Sequence, residues 1–485
     1  MVRTPATRRA VLALALVALA VHTGCTSPPG RVSNALPIPR APVAPNIVVI
    51  VTDDQRADTL RWLPTVQREL IRQGTTFTNA FATTPTCCPS RASLLTGLLP
   101  GSTGVWRNGG LLHGEPIGGW PAFVASGMER RSLATWLTPT YETMLIGKYL
   151  NHYDHMAEDG PPEGWDVWHS FLASNGAYFD FDIVHTDGEI THHGRHARSY
   201  STDVFADLAV GSIERTAIER PRLMYFDPYA PHGPLTEAHR DHGAHTRMTT
   251  YRSPSLREAD LSDKPPWIQE LPPIDEAMLD RRRRATERAL RSVDDAVRRI
   301  VASLRRTDRL SNTLIVFTSD NGSSWGEHGV PLGNKYLPYD AQTHVPLVMR
   351  WDGHVAPGVE DDRVVLNVDV PVTVADAAGV RATGVDGRSL LEPGSRAGAL
   401  LAAMGSLGRH GDGLSFARPA YCAYRTARFL FVRYASGDEE LYDYRSDPHE
   451  LVNLVSAGVR TRVADRLRDR TRAACRPHPP GFAWG

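Results

Sequence analysis

The sequence predicts an α/β fold: a wound, mixed to mostly parallel sheet flanked by helices, with a smaller α+β unit at the C-terminal end. Three observations carry this. Runs such as Asn46–Val51 and Leu314–Phe317 are apolar at nearly every position, as in strands buried on both faces of a parallel sheet, and lack the alternation of half-solvated strands. Segments of helical spacing lie between such runs. After about residue 395 the pattern changes to closely spaced short strands and one closing helix.

The first strand, Asn46–Val51, ends at Thr52-Asp53-Asp54. Leu63–Arg72 has helical spacing and stops at Gly74, a residue suited to a helix C-terminus. Thr75–Ala82 reads as a strand, and Pro89 opens a helix because its fixed φ fits the first helical position. Met144–Ile146 and Leu223–Phe226 are short strands. Ala277–Arg306 is a long amphipathic helix whose Arg281–Arg284 run reads as a solvated face. Leu314–Phe317 ends at Ser319-Asp320-Asn321-Gly322, and Val345–Met349 adds a strand. Toward the C-terminus, Ala420–Tyr434 and Glu440–Asp443 read as short strands and Val459–Ala474 as a helix. No internal repeat is present. The expected organisation is a leader at 1–25, a flexible Pro- and Ser-rich tether at 26–44, a large α/β domain at 45–395 and a small α+β domain at 396–485.

The chain has 485 residues, enough for a sizeable core, and its charges balance at 54 against 54. No overall field is available to hold nucleic acid or an anionic membrane. Only three lysines occur, Lys148, Lys264 and Lys335, in a chain that otherwise uses arginine. At the N-terminus Arg3, Arg8 and Arg9 precede the apolar run Val11–Val21, which is too short for a permanent membrane span and reads as an export signal. Gly24-Cys25 resembles a bacterial lipoprotein cleavage site, so Cys25 is a candidate for lipidation. Thr7-Arg8-Arg9 also fits a twin-arginine signal, which leaves the export route open. The expected location is outside the cytoplasm, on the cell surface through a lipid anchor or secreted.

In wound sheets ligands bind beyond the carboxyl ends of the strands. Asp53, Asp54, Asp320 and Asn321 all follow strand ends, so they are expected on one rim. They offer oxygen alone, which suits Ca²⁺, or Mg²⁺, better than zinc. Each pair taken alone is also compatible with a helix cap or a turn.

The string Cys87-Cys88-Pro89-Ser90-Arg91-Ala92-Ser93-Leu94-Leu95-Thr96-Gly97 resembles the signature of the sulfatase family. The resemblance implies an alkaline-phosphatase-like fold and oxidation of Cys87, not Cys88, to Cα-formylglycine by a formylglycine-generating enzyme. The hydrate of that aldehyde attacks the sulfate ester. Val51–Gln55 and Thr318–Gly322 look like the family's metal-binding segments, with Asp53, Asp54, Asp320, Asn321 and residue 87 as ligands. Arg91 is implied to orient the hydrate, beside a helix N-terminus that favours anions. Gly147-Lys148-Tyr149-Leu150-Asn151 resembles the second signature, Ala230–Pro234 the histidine segment and Gly333-Asn334-Lys335 the second active-site lysine. Lys148, His232, Lys335 and Asn151 are the implied substrate contacts, and His232 or Lys335 the implied proton donor to the departing alcohol. Many sulfatases carry a histidine where this chain has Leu150, so the base that releases sulfate stays open between Asn151 and His152. The form Gly-Lys-Tyr-Leu-Asn, with Gly164-Trp165 and Ser292–Asp295, is similar to the N-acetylglucosamine-6-sulfatase branch. That branch implies a 6-sulfated amino sugar as substrate.

With Cys25 and Cys87 assigned, Cys422 and Cys475 are free to form a disulfide in an oxidising compartment, and Cys88 is left as a buried thiol. An aryl sulfatase and a phosphomonoester or phosphodiester hydrolase of the same superfamily are the competing enzymes. A surface lipoprotein that binds sulfated glycans without cleaving them is the non-enzymatic alternative. Trp106, Trp165, Trp168 and Trp325 are candidates to stack on sugars, although core packing is the commoner role. His192–His196 reads as a polar loop near the pocket mouth.

Overall fold

β1 (Asn46–Thr52) runs through the middle of a ten-stranded sheet. Ile47, Val49 and Val51 point into one hydrophobic core, Val48 and Ile50 into another. This two-sided burial explains why the strand is apolar throughout. The computed structural model describes residues 44–153, 160–172, 176–215, 220–244, 246, 252–406, 418–458 and 462–484. The leader, Cys25 and nearly all of the tether lie outside these residues. No helix among the described residues is long and apolar enough to cross a membrane.

The other strands of the sheet are β2 (Thr75–Phe81), β3 (Glu142–Gly147), β4 (Val167–Phe171), β5 (Phe181–His185), β6 (Ile190–His193), β7 (Arg222–Asp227), β8 (Thr313–Ser319), β9 (Leu347–Arg350) and β10 (Val359–Leu366). Their order is β10-β2-β9-β8-β1-β7-β3-β4-β5-β6. The central run β8-β1-β7-β3-β4 is parallel throughout. β9 is antiparallel to both its neighbours, β5 and β6 make an antiparallel edge, and β10 joins β2 in parallel.

Helices cover both faces. On one, α1 (Cys87–Thr96) and α4 (Asp369–Ala377) bury Ala92, Leu95, Val370 and Val374 against β1. On the other, α2 (Ser201–Glu214) and α3 (Glu276–Arg306) bury Phe205, Ala209, Leu290, Val293 and Val297. Asp275 caps α3 by accepting from the amides of Ala277 and Met278. Near the C-terminus β11 (Ala399–Ala403), β12 (Tyr421–Arg425), β13 (Phe429–Tyr434) and β14 (Glu439–Asp443) form an antiparallel sheet. Leu401, Val432 and Tyr442 share a core with Phe81, Val364 and Leu366 of the large sheet. α5 (Arg462–Ala474) is followed by Cys475, which forms a disulfide with Cys422 of β12.

Four local expectations change. α1 starts at Cys87, so Pro89 is its third residue; this is tolerated because no amide of the first turn has an intrahelical partner. The helix expected over Leu63–Arg72 is a short α turn followed by a π turn. His192 and His193 lie on β6, where His193 pairs with Phe181 and His192 with Asp182. The Arg281–Arg284 run is not uniformly solvated: Arg283 is buried against the ring of Trp325 at 4.8 Å, and Arg282 faces a cavity.

Candidate active site

The parallel strands deliver the site. β1 ends before Asp53-Asp54, β8 before Asp320-Asn321 and β3 before Lys148, while β7 ends on Asp227. Because β7 and β8 flank β1, their carboxyl ends form one rim. Asp54 has φ 65°, and its amide donates to Asp320 Oδ1 at 3.0 Å, tying the two strand ends together.

Cys87 starts α1 at this rim and is fully buried. Its Sγ lies 3.6 Å from Asp53 Oδ1 and accepts from Lys335 Nζ at 2.8 Å. Lys148 Nζ donates to Asp53 Oδ2 at 2.5 Å, and Lys335 Nζ also donates to Asp54 Oδ1. Four residues further along α1, Arg91 donates from Nε to Asp320 Oδ2 and from Nη1 to Asp227 Oδ1, both at 2.9 Å. Asp320 Oδ1 also accepts the amide of Asn321. Both oxygens of Asp320 are thus engaged, and it braces Asp54 and Arg91. Asn321 Nδ2 donates to Asp54 Oδ1 at 2.6 Å, while its Oδ1 is a buried acceptor with no partner.

His232 Nδ1 meets the Gly233 carbonyl at 2.5 Å and Tyr229 Oη at 2.8 Å. A carbonyl only accepts, so Nδ1 carries the hydrogen and Nε2 is turned toward Asp54 Oδ2, 3.7 Å away. Ligand atoms of Asp53, Asp54, Cys87 and His232 all lie within 4.8 Å of one another. The sequence reading placed His232 at the substrate and not in this group.

Electrostatics follow from burial and crowding. Burial alone would raise the Asp53 pKa, but Lys148, His232, Arg91 and Lys335 pull it far below the carboxylate range. Burial pushes the Cys87 thiol up to about 12 in spite of Lys148 and Lys335, so at neutral pH it is a protonated, weakly nucleophilic thiol. Burial likewise lifts Cys88 to about 11. The two cysteines point apart: Cys88 Sγ accepts the amide of Asn151 at 3.1 Å, and the Cys88 amide donates to Asn108 Oδ1.

The rim opens into a cavity of about 810 Å³ lined by Asp54, Lys148, Asn151, His152, His232 and Lys335 among others. Leu150 is packed in the core away from it. The four tryptophans considered for sugar stacking are buried and do not line it. Sequence reasoning missed Asp227, Tyr229, Arg282 and Arg107. Asp227 had the same signal as Asp53, an acid directly after a buried apolar strand.

A family model described as Sulfatase matches residues 45–380. The chain is 33% identical to the extracellular sulfatase SULF-1 homolog of Drosophila melanogaster over 72% of its own length and 31% of that protein. It is 30% identical to the N-acetylglucosamine-6-sulfatase of Homo sapiens over 72% of its length and 64% of that enzyme. The chain spans less than half the length of the first curated relatives it matches, 31% and 48%. A structure solved in complex with its substrate D-glucosamine-2-N,6-O-disulfate superposes with a TM-score of 0.71 at 20% identity, over 89% of this chain and 97% of that one. The phosphonate monoester hydrolase of Agrobacterium radiobacter superposes at 0.66 and 22% identity, over 88% and 94%.

Proposed function

The chain belongs to the sulfatase family and has its alkaline-phosphatase-like fold, and on that premise we propose that it hydrolyses a sulfate monoester at a formylglycine derived from Cys87. The observation that carries this reading is the meeting of Cys87 with Lys335 and Asp53, and of Asp53 with Lys148, beside a cavity that both lysines line. A buried thiol held protonated would be a poor nucleophile there. As formylglycine, residue 87 supplies an oxygen nucleophile through the hydrate of its aldehyde.

The chain's own residues do the rest. Asp53 Oδ1 is the acceptor beside the group at position 87 and orients its hydrogen. Arg91, fixed by Asp227 and Asp320, keeps positive charge behind the nucleophile. Lys148 and Lys335 present ammonium groups to sulfate oxygens. Lys335 Nζ is the donor to the departing alcohol, since burial pushes His232 down to about 4 and leaves its ring neutral at neutral pH. Asn151 has no basic nitrogen at neutral pH and Leu150 is in the core, so His152, which lines the cavity, is assigned as the base for sulfate release.

A divalent cation fits the donor set. Asp53, Asp54 and residue 87 are clustered, the unpartnered Asn321 Oδ1 adds an oxygen beside Asp54, Asp320 braces them, and His232 Nε2 faces the same group. Ca²⁺ is the proposed ion. Bound there, it supplies Lewis-acid polarisation of a sulfate oxygen.

The proposed substrate is a 6-sulfated N-acetylglucosamine or a glycan containing it. This is supported by identity to the human N-acetylglucosamine-6-sulfatase. A site of action outside the cytoplasm, by secretion or through a lipid on Cys25, is supported by the name of the Drosophila relative. The test is hydrolysis of N-acetylglucosamine 6-sulfate, an aryl sulfate, an aryl phosphate and an aryl phosphonate by one preparation with Ca²⁺. The reading expects the sulfate esters to be cleaved at least about tenfold faster in kcat/KM than the phosphorus esters. A preference for the phosphonate would replace it with the hydrolase chemistry that shares this fold.

A further inference from the structure

α3 turns Arg282 into the cavity wall, between the loops that carry His232 and Lys335. A Cβ built on Gly233 would lie 3.5 Å from Arg282 Nη1, and one on Gly333 only 2.2 Å from Nη2. The guanidinium thus occupies space that two residues without side chains leave open. Gly333 has φ +77°, which favours glycine there on a second count.

Among the described residues no carboxylate pairs with Arg282, and its Nε is buried without a hydrogen-bond partner. Its neighbours on α3 differ: Arg281 reaches Asp275 at 3.8 Å, and Arg283 lies over the Trp325 ring. Arg107 is a second arginine lining the same cavity, whereas Asp54 is the one acidic lining residue among the described residues and is already held by Lys335 and Asn321. Burial also holds the Arg282 pKa below the usual arginine value, against the pull of Asp54 and Tyr178. A guanidinium partly removed from water with no anionic partner is costly unless a ligand brings the anion. Its planar fork of donors matches a sulfo or carboxyl group bidentately.

We infer that Arg282 is a specificity residue that takes a second anionic group of the substrate, a sulfo or carboxyl substituent on the sugar bearing the scissile ester or on its neighbour. The inference rests on the sulfatase reading above and narrows its substrate class to sugars carrying two anions.

The test compares the wild type with Arg282→Gln and Arg282→Lys, each checked by thermal melting. Three esters are used: N-acetylglucosamine 6-sulfate, N-sulfoglucosamine 6-sulfate, and a disaccharide of a uronic acid with N-acetylglucosamine 6-sulfate. The readout is the ratio of kcat/KM for each two-anion ester to that for the first. Arg282→Gln is expected to lower at least one ratio about tenfold or more through KM, with Arg282→Lys falling less. The ratio that falls identifies the group as sulfo or carboxyl. An equal loss on all three esters would place Arg282 at the scissile sulfate and overturn the inference, as would unchanged ratios. The same comparison is made by calorimetric binding to the full chain carrying Cys87→Ser, with and without the Arg282 change. If the wild type cleaves no ester, the sulfatase reading fails. The binding arm still decides on Arg282, since loss of two-anion preference supports its role and equal preference overturns it.

Discussion

The three lysines divide between two buried ionic clusters, and the difference lies in how completely each ammonium is satisfied. Lys264 Nζ donates to Asp263 Oδ1 at 3.0 Å and to the Leu451 carbonyl at 2.9 Å, and it forms an ion pair with Glu258 Oε1 at 2.8 Å. Around it the seam between the small sheet and the rest of the chain is closed. His328 Nδ1 lies 2.6 Å from Glu258, and Glu440 accepts from the hydroxyls of Tyr339, Tyr434 and Tyr442. Lys148 Nζ has one carboxylate partner, Asp53, and Lys335 Nζ has Asp54 and the Cys87 sulfur. Those ammonium groups keep donors to spare beside a cavity, next to an acceptor on Asn321 that is also unused. An ammonium enclosed by partners away from a cavity holds elements together, and one with donors to spare facing a cavity is arranged for a ligand.

The comparison breaks most sharply at Cys87. Cys87→Ser should abolish multiple turnover, because a serine hydroxyl has no second oxygen through which to expel sulfate, while the melting temperature stays within a few degrees. Normal steady-state release of sulfate by this variant would contradict the scheme.

Next in size, Lys335→Ala should lower kcat/KM by about 10²–10³ and leave the Ca²⁺-loaded protein's melting temperature nearly unchanged. A large stability loss without loss of activity would make Lys335 a structural residue like Lys264. The converse holds for Lys264→Ala. Leaving Glu258 and Asp263 without their cation should cost about 3–5 kcal/mol of stability, read by denaturant titration, with kcat/KM per folded molecule retained.

The smallest effect is a pH dependence. Burial alone would depress the His328 pKa, but Glu258 and Glu450 lift it to about 9 from a model-compound value of 6.5. A folded pKa above the unfolded one gives stability that is fully present below about pH 6.5 and is lost as pH rises through about 9. It amounts to about 3 kcal/mol. Melting curves from pH 6 to 10 should show this loss in the wild type and a flatter profile in His328→Gln. Identical profiles would remove His328 from the account.

Much of this contrast was legible in the sequence because it follows rules of position. Strands buried on both faces are apolar throughout, and functional groups gather past their carboxyl ends, so Asp53, Asp54, Asp320 and Asn321 stood out. Asp227 obeys the same rule but follows its strand singly, with no neighbouring ligand to draw attention. Arg282 and Arg283 were hidden in a charged run. The signal lay in helical spacing: Arg283 falls four residues after buried Leu279 and seven before buried Leu290, on the apolar stripe. β6 was misread because an edge strand with two exposed positions, Ile190 and His192, carries little apolar pattern. The Lys264 cluster could not be read at all. Its members come from positions 258 to 451 and meet only when the small sheet closes on the rest of the chain.

The central claim is the chemistry at position 87, and mass analysis of the tryptic peptide Gln73–Arg91 from protein made in its own host tests it most directly. The account predicts an aldehyde in place of the thiol, located at Cys87 by fragmentation, with Cys88 unmodified. Thiols at both positions in a preparation that cleaves sulfate esters over many turnovers would contradict it.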